Sequence, residues 1–429
     1  MSAKISKRLS LLCVYSAFAI MQATPAFSAT AVGTETVLNM FGVNLHMDNC
    51  CNGNYSNVDK VAEEINYIGA RRLRDWPTRD DVIDKWRPIY AKTGAPFHAS
   101  IPQASPKNQR LALERIERWM KAYPGLIDVI EGGNEEDAPY SISQGASLAD
   151  TAILQSQVYK VGQSAGVKVA QLSVGAGWTA PLWEGNYKKF GTPPADYGNA
   201  HTYSNPGEPP ASALKRIGDL AGYSVSKNAQ IDTTEFGFYQ TSKQDEETTG
   251  AFMHMAPFSA YLLGHSGLSV YALHDDMTNI TGFYRNDGTK RGFADYWHNT
   301  TSLLSDPAGK KLPPKNINIT FDNQKAAGRS PLGIKNVLMY KSDGSIWIAA
   351  YDEEWADAPD GSQTITFDKA YAVVNVYDGR DGKLLKTLKN ISTLNLPLPI
   401  NHVFLVQLTA GNKSSPLISR GFLRGLNKN

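Results

Sequence analysis

At 429 residues the chain is too long for one small core and long enough for a barrel plus a second domain. Its 43 Lys and Arg nearly balance 41 Asp and Glu, a formal charge of +2 that leaves no electrostatic case for nucleic acid.

The first residues read as an export signal, residues 1–29. Lys4, Lys7 and Arg8 precede the apolar run "LSLLCVYSAFAIM", and "ATPAFSATA" offers small-residue cleavage sites near Ala29 or Ala31. The run is about 13 residues, too short to span a bilayer, so a secreted or periplasmic protein without a stable membrane anchor is expected. Cleavage removes three basic residues and no acidic ones, leaving 40 basic against 41 acidic. Cys13 leaves with the signal, and Cys50 and Cys51 remain side by side. Consecutive Cα atoms lie about 3.8 Å apart, below the usual disulfide span. Two thiols, a bond to a partner chain and a stiff apolar platform beside a ligand all stay open.

Eight short runs rich in apolar or β-branched residues follow, each ending in polar residues. They are "VLNMFGVNLH" (37–46), "ARRLRDW" (70–76), "APFHASI" (95–101), "IDVIEGG" (127–133), "VKVAQLSVG" (167–175), "DYGNAHTY" (196–203), "AQIDTTEFG" (229–237) and "GLSVYALHD" (267–275). Helical patterns lie between them: Val58, Val61, Ile65 and Ile68 share one face, as do Leu111, Leu113, Ile116 and Met120. "TTGAFMHMAPFSAYLLGHSG" is a longer apolar helix, expected to kink or split at Pro257. Strand starts recur about every 33 residues, the βαβ period, and predict a (β/α)8 barrel over 36–308. A doubly wound open sheet fits less well, since the first strand exits into "NLHMDN" rather than a glycine-rich phosphate turn. From 312 to 410 short strands such as "GIKNVLMY", "SIWIAAYD", "QTITF", "YAVVNVYD", "KLLKTL" and "HVFLVQLT" predict an antiparallel β-sandwich. A polar, basic tail, 411–429, is expected to be mobile.

In such a barrel the site lies at the C-terminal strand ends. Those ends collect Asn44 and His46, Arg74 and Asp75, His98, Asn134 and Glu135, His201 and Tyr203, Glu235, and His274 and Asp275. Two glutamates stand in matching places, "GGNE" and "TTEFG", and glycosidic hydrolysis with retention needs two carboxyl groups across the scissile bond.

"EGGNEED", "TTEFGFY" and "NAHTY", in that order and at barrel spacing, resemble the motifs of clan A glycoside hydrolases. "YALHDD" followed by "GFYRNDGTKRGFADYWHNTTSLL" resembles family 39 and related exopolysaccharide hydrolases, which also carry a C-terminal β-domain. The resemblance implies a retaining glycosidase with a carbohydrate substrate and no cofactor. It makes Glu135 the acid/base and Glu235 the nucleophile, with Asn134 on a sugar hydroxyl. His46, Arg74, His98, His201, Tyr203, Trp178, Tyr239 and His274 are the further candidate substrate contacts. Trp76 and Trp183 could also stack on sugar faces. Glu131 is expected beneath the site against Arg74, while Glu136 and Asp137 are expected on a solvated loop face. Tyr203 and Arg74 should keep Glu235 ionised, and the charge on Glu235 should raise Glu135. Two other readings stand beside this one. Four strand-end histidines could hold a metal in a metal-dependent barrel hydrolase, although their spacing is loose. The barrel could also bind carbohydrate without catalysis.

Overall fold

The computed structural model describes residues 28–48, 53–145, 147–175, 180–205, 207–226, 228–238, 245–275, 281–309, 311–325, 333–354, 360–400 and 402–410. Residues 1–27 of the expected export signal, Cys50, Cys51 and residues 411–429 lie outside them. β1 (Ser28–Gly33) comes first, and then β2 (Gly42–Asn44), β3 (Arg72–Asp75), β4 (Phe97–Ile101), β5 (Ile127–Gly133), β6 (Lys168–Ala170), β7 (Tyr197–Tyr203), β8 (Gln230–Gly237) and β9 (Gly267–Val270). β2 to β9 close into an eight-stranded barrel, every neighbour parallel, with β9 returning to β2. The (β/α)8 expectation therefore holds. The short helix α1 (Thr34–Leu38) precedes the barrel, and α2 (Val58–Ile68), α3 (Ile83–Thr93), α4 (Pro106–Ala122), α5 (Pro139–Ser143), α6 (Leu148–Ala165), α7 (Ala180–Phe190), α8 (Pro210–Ala221), α9 (Glu246–Leu262) and α10 (Gly292–Leu304) follow its strands.

Local chemistry explains the helix bounds. Asn57 caps α2 by accepting from the Lys60 N–H at 3.1 Å, and Gly69 ends it in the left-handed region at φ 68°. A Cβ at Gly69 would also lie 2.2 Å from Thr301 Oγ1 on α10. On α4 the buried face is Ala112, Leu113, Ile116, Trp119 and Met120, whereas Leu111 is 37% exposed. Leu111 sits two positions from Leu113, about 200° round a helix, so the two cannot share a face.

α9 is continuous through Pro257, against the expected split. Proline removes the N–H that would bond the Met253 carbonyl. The Trp297 indole of α10 donates to that carbonyl at 3.1 Å and fills the gap. Thr248 to Ala260 are all buried, because α9 is covered on both sides: by the barrel and by the β-domain.

That second domain contains β10 (Lys315–Lys325), β11 (Ile334–Tyr340), β12 (Ile346–Asp352), β13 (Gly361–Asp378), β14 (Leu384–Leu398) and β15 (Val403–Thr409). Its sheet runs β10-β1-β11-β12-β15-β13-β14, and β13 pairs with β10 as well. The expected purely antiparallel sandwich needs one correction. β1, from the other end of the chain, joins between β10 and β11 and runs parallel to β11, so the sheet is mixed. The small side chains of "SATAVG" and its place at the expected cleavage sites hid it. β1 also spans the expected cleavage sites: a cut after Ala31 would strip the four residues that pair with β10. "QTITF" and "YAVVNVYD" are one strand, β13, with a register shift between Thr366 and Tyr371 where its pairing passes from β10 to β15. Trp347, Tyr351, Met339 and Leu405 share one core cluster with barrel residues, so the β-domain packs on the barrel through apolar contact.

Trp297→Phe should cost about 1–3 kcal/mol by stranding the Met253 carbonyl. The cost should shrink in a Pro257→Ala background, where a helix N–H returns to that carbonyl. Thermal or denaturant unfolding of the four proteins measures this, and equal losses in both backgrounds would refute the account.

Candidate active site

Parallel strands bring alternate residues onto the inner wall of the barrel. Arg72 and Arg74 on β3, and Asn199, His201 and Tyr203 on β7, are such i, i+2 sets. In β8 the register with β7 skips a residue, pairing Ala200 with Thr233 and His201 with Glu235. This bulge lets two consecutive residues, Thr234 and Glu235, both reach inward. Thr234 Oγ1 donates to Asn199 Oδ1 at 2.6 Å, and Glu235 accepts from Arg74 and Tyr203.

The lower layer is Arg72, bonded to both oxygens of Asp232 at 3.0 and 2.8 Å and donating to His98 Nδ1 at 2.6 Å. His98 Nε2 lies 3.3 Å from Glu131 above it. Arg74 forms the next layer and is 1% exposed. Its Nε and Nη2 fork onto Glu131 at 2.6 and 2.8 Å, Nη1 reaches Asn44 Oδ1 at 2.8 Å and Glu235 Oε1 at 2.7 Å, and Nη2 reaches Asn134 Oδ1 at 2.6 Å. These five contacts use the five N–H donors of a guanidinium. Glu131 thus lies under the site against Arg74, as its position inside the strand suggested.

Above this layer stand Glu135, His201 and Glu235. His201 Nδ1 is 2.8 Å from Glu135 Oε1 and 3.4 Å from Glu235 Oε2. One ligating atom from each of the three lies within 4.8 Å of the others. Gln103 donates to Glu135 Oε2 at 3.2 Å, and the Tyr203 hydroxyl donates to Glu235 Oε2 at 2.7 Å. The Glu135 side chain is 25% exposed and that of Glu235 5%, so the first faces the opening. Among the described residues this trio is the one set spaced to hold a metal ion; Arg74 already supplies a cation to Glu235.

The expected assignment of charge needs revision. Burial disfavours the ionised form of Glu135, but the bond to His201 and its charge outweigh it, and Glu135 is lowered. Burial raises Glu235; His201 and Arg74 oppose this, and the charge of Glu135 adds to it. Burial would lower His201, yet Glu235, Glu131 and Glu135 together raise it to about 9. These directions favour a proton on His201, which lies 2.8 Å from Glu135 and 3.4 Å from Glu235. The three groups titrate as a unit.

The "EGGNEED" turn is also tighter than a solvated loop. Glu136 and Asp137 are 2% and 8% exposed, against expectation. Glu136 bonds Gln109 of α4, and burial pushes it up to about 8, Gln109 opposing and Asp137 adding. The two glycines make the room: a Cβ on Gly132 would meet Gln155 at 1.9 Å, and one on Gly133 would meet Glu136 at 2.3 Å.

The other expected contacts divide. Asn134 is in place, its Oδ1 held by Arg74. His46 lies at the mouth among the rings of Tyr55, Trp76 and Tyr271, at centroid distances of 5.8, 5.2 and 5.2 Å. His98 points inward but one layer too low, fully buried beneath Arg74 and Glu131, and cannot meet a ligand at the mouth. His274 is fully buried too, 2.8 Å from Glu64 of α2 and behind Tyr55. Trp178, Tyr239 and the Trp183 side chain lie outside the described residues. Gln103 and Ser173, which touch Glu135, were not anticipated; both sit past short strands, where no periodicity marks them.

Solved structures show the likeness of this closed parallel barrel and its appended β-domain to known folds. The GH39 enzyme from Xanthomonas axonopodis pv. citri superposes with a TM-score of 0.58 at 11% identity, covering 87% of this chain and 94% of that one. A monomeric β-xylosidase from Caulobacter crescentus CB15 gives 0.57 at 11% identity, over 90% and 98%. The chain resembles these enzymes in fold. No family model and no curated protein matches its sequence.

Stability should record the shared proton. A folded state that raises His201 from 6.5 to about 9 gains stability that is complete below pH 6.5 and lost as pH rises through 9. Glu136, raised from 4.5 to about 8, acts in the same sense over a lower window. The melting temperature should fall from about pH 5 to pH 9, with Glu136→Gln flattening the lower part and His201→Gln the upper. Unchanged slopes in both variants would count against these placements.

Proposed function

We propose that the protein is a retaining O-glycoside hydrolase with Glu235 as nucleophile and Glu135 as acid/base. The observation that carries the reading is the facing of two glutamates across one barrel mouth, with a carboxylate oxygen of each and a ring nitrogen of His201 within 4.8 Å of one another. Retaining enzymes hold their carboxyls about 5–5.5 Å apart, whereas inverting ones leave about 6.5–9.5 Å for a water. The likeness of fold to GH39 enzymes supports the same reading.

On this reading Glu235 attacks the anomeric carbon as the glycosidic C–O bond breaks, and Glu135 gives its proton to the leaving oxygen. The proton comes from His201 along the 2.8 Å contact, a transfer that changes no net charge. The departing alcohol leaves a glycosyl ester on Glu235. Glu135, now a carboxylate, takes a proton from water as that water attacks the anomeric carbon and frees Glu235. Arg74 and Tyr203 hold the two oxygens of Glu235 in place throughout. Asn134, its carbonyl tied to Arg74, offers its amide N–H groups to a sugar hydroxyl, the 2-OH on this reading. The trio could also ligate a metal, and metal analysis of chelator-treated protein distinguishes that reading. The amino-terminal export signal makes the setting secreted or periplasmic.

Glu235→Gln should lose nearly all turnover on a chromogenic glycoside panel while keeping its melting temperature within a few degrees. A fluorinated glycoside of a matching sugar should label a peptide containing Glu235. Near-normal turnover in the variant, or labelling of Glu131, would move the nucleophile. Glu135→Ala should lose kcat/KM on poor leaving groups and keep most of it on activated aryl glycosides, with azide restoring turnover as a product of retained configuration.

A further inference from the structure

Glu135 sits at φ 45°, in the left-handed region that side-chain-bearing residues rarely adopt. Its own backbone is pinned: the N–H donates to Ser173 Oγ at 2.9 Å, and the carbonyl accepts from Ser141 Oγ and the Ala138 N–H at 2.9 Å each. Its carboxyl lies against Gly175, where a Cβ would come within 2.1 Å of the Glu135 carboxyl carbon. The position of Gly175 therefore sets how far the carboxyl can lean.

Gly175 is in turn held by the turn it limits. Asp137, two residues after Glu135, accepts from the Gly175 N–H at 2.9 Å through Oδ1 and from Asn186 of α7 at 2.6 Å through Oδ2. One buried carboxylate thus ties three segments together: the Glu135 turn, the exit of β6 and α7. Solubility does not explain a buried carboxylate, and neither bond reaches the mouth.

We propose that Asp137 is a positioning residue for the acid/base: by fixing Gly175 and α7 against the Glu135 turn, it holds the Glu135 carboxyl at the leaving-group oxygen. The proposal rests on the reading of Glu135 as acid/base and adds the device that aims it. An acid displaced by about an ångström loses up to about 100-fold where protonation is required, and little where it is not.

The test compares kcat/KM on paired glycosides of one sugar, one with a poor leaving group and one with an activated aryl group, in wild type, Asp137→Ala, Asp137→Asn, Gly175→Ala and Glu135→Ala. Asp137→Ala should lose about 10- to 100-fold on the poor leaving group and less than about threefold on the activated one. Asp137→Asn should recover most of the loss, since its oxygen still serves the Gly175 N–H and the Asn186 amide can turn to accept. Gly175→Ala places a Cβ that would meet the carboxyl carbon, Cγ and Oε1 of Glu135 at 2.1, 2.4 and 2.4 Å, so it pushes the carboxyl aside directly. It should show the same selective loss even if Asp137→Ala fails to fold. Equal losses on both substrates in Asp137→Ala and Gly175→Ala, or no loss in either, would overturn the positioning role while Glu135→Ala stays selective. A Glu135→Ala without leaving-group dependence would remove the acid/base reading itself, and the positioning role with it.

Discussion

A guanidinium taken out of water must have every donor met, and Arg74 meets all five on the inner wall of the barrel. That requirement organises the mouth. Glu131 supplies the charge that makes burial of Arg74 tolerable, Asn44 and Asn134 are turned so that their carbonyl oxygens face it, and Glu235 takes the last donor. Glu131 is secured from its other side by Asn199 at 2.9 Å, which is fixed by Thr234. Below, Arg72 and Asp232 neutralise each other, so the upper layer rests on a balanced pair. With His201 protonated and the three glutamates ionised, the upper layer carries two positive and three negative charges. On the proposed reading that residual negative charge faces an anomeric carbon that becomes positive in the transition state.

Much of this was legible because barrels repeat. Strand ends at even spacing point to one mouth, and polar residues collect where no core needs them. Glu135, Glu235, Arg74 and His201 could be named without coordinates for that reason. Depth could not. His98 alternates correctly for the inner wall, yet it ends one layer too low, since the number of residues between a side chain and the mouth depends on strand register. Burial of loop residues was equally hidden: Glu136 and Asp137 look solvated until α4 and the exit of β6 close over them. β1 escaped because its pairing partners lie some 290 residues away in sequence.

The turn after β5 shows why two glycines precede the glutamates. Gly132 and Gly133 are not needed for a positive φ; they are needed because Gln155 and Glu136 occupy the space a Cβ would take. Collapsing the chain there brings Glu135 into a strained backbone conformation that the hydroxyls of Ser173 and Ser141 hold in place. The strain is local and its restraints come from neighbouring segments. The position of one side chain therefore depends on the exit of β6 as much as on its own strand.

The favoured place of the proton follows from the contacts and charges around Glu135, set against its burial. Burial disfavours the Glu135 anion, but its bond to His201, the charges of His201 and Arg74, and the Gln103 amide outweigh that and favour the anion in the empty site. On the proposed reading, a saccharide seated over the mouth adds to the burial of Glu135, and desolvation raises it. Glu235 feels less change, being enclosed already. On the proposed reading, binding itself moves the balance along the short His201–Glu135 contact and arms the acid only when a substrate is present. The difference between the expected charge states and those the surroundings favour is thus a property of the open site, and the proposed roles of the two glutamates are compatible with it.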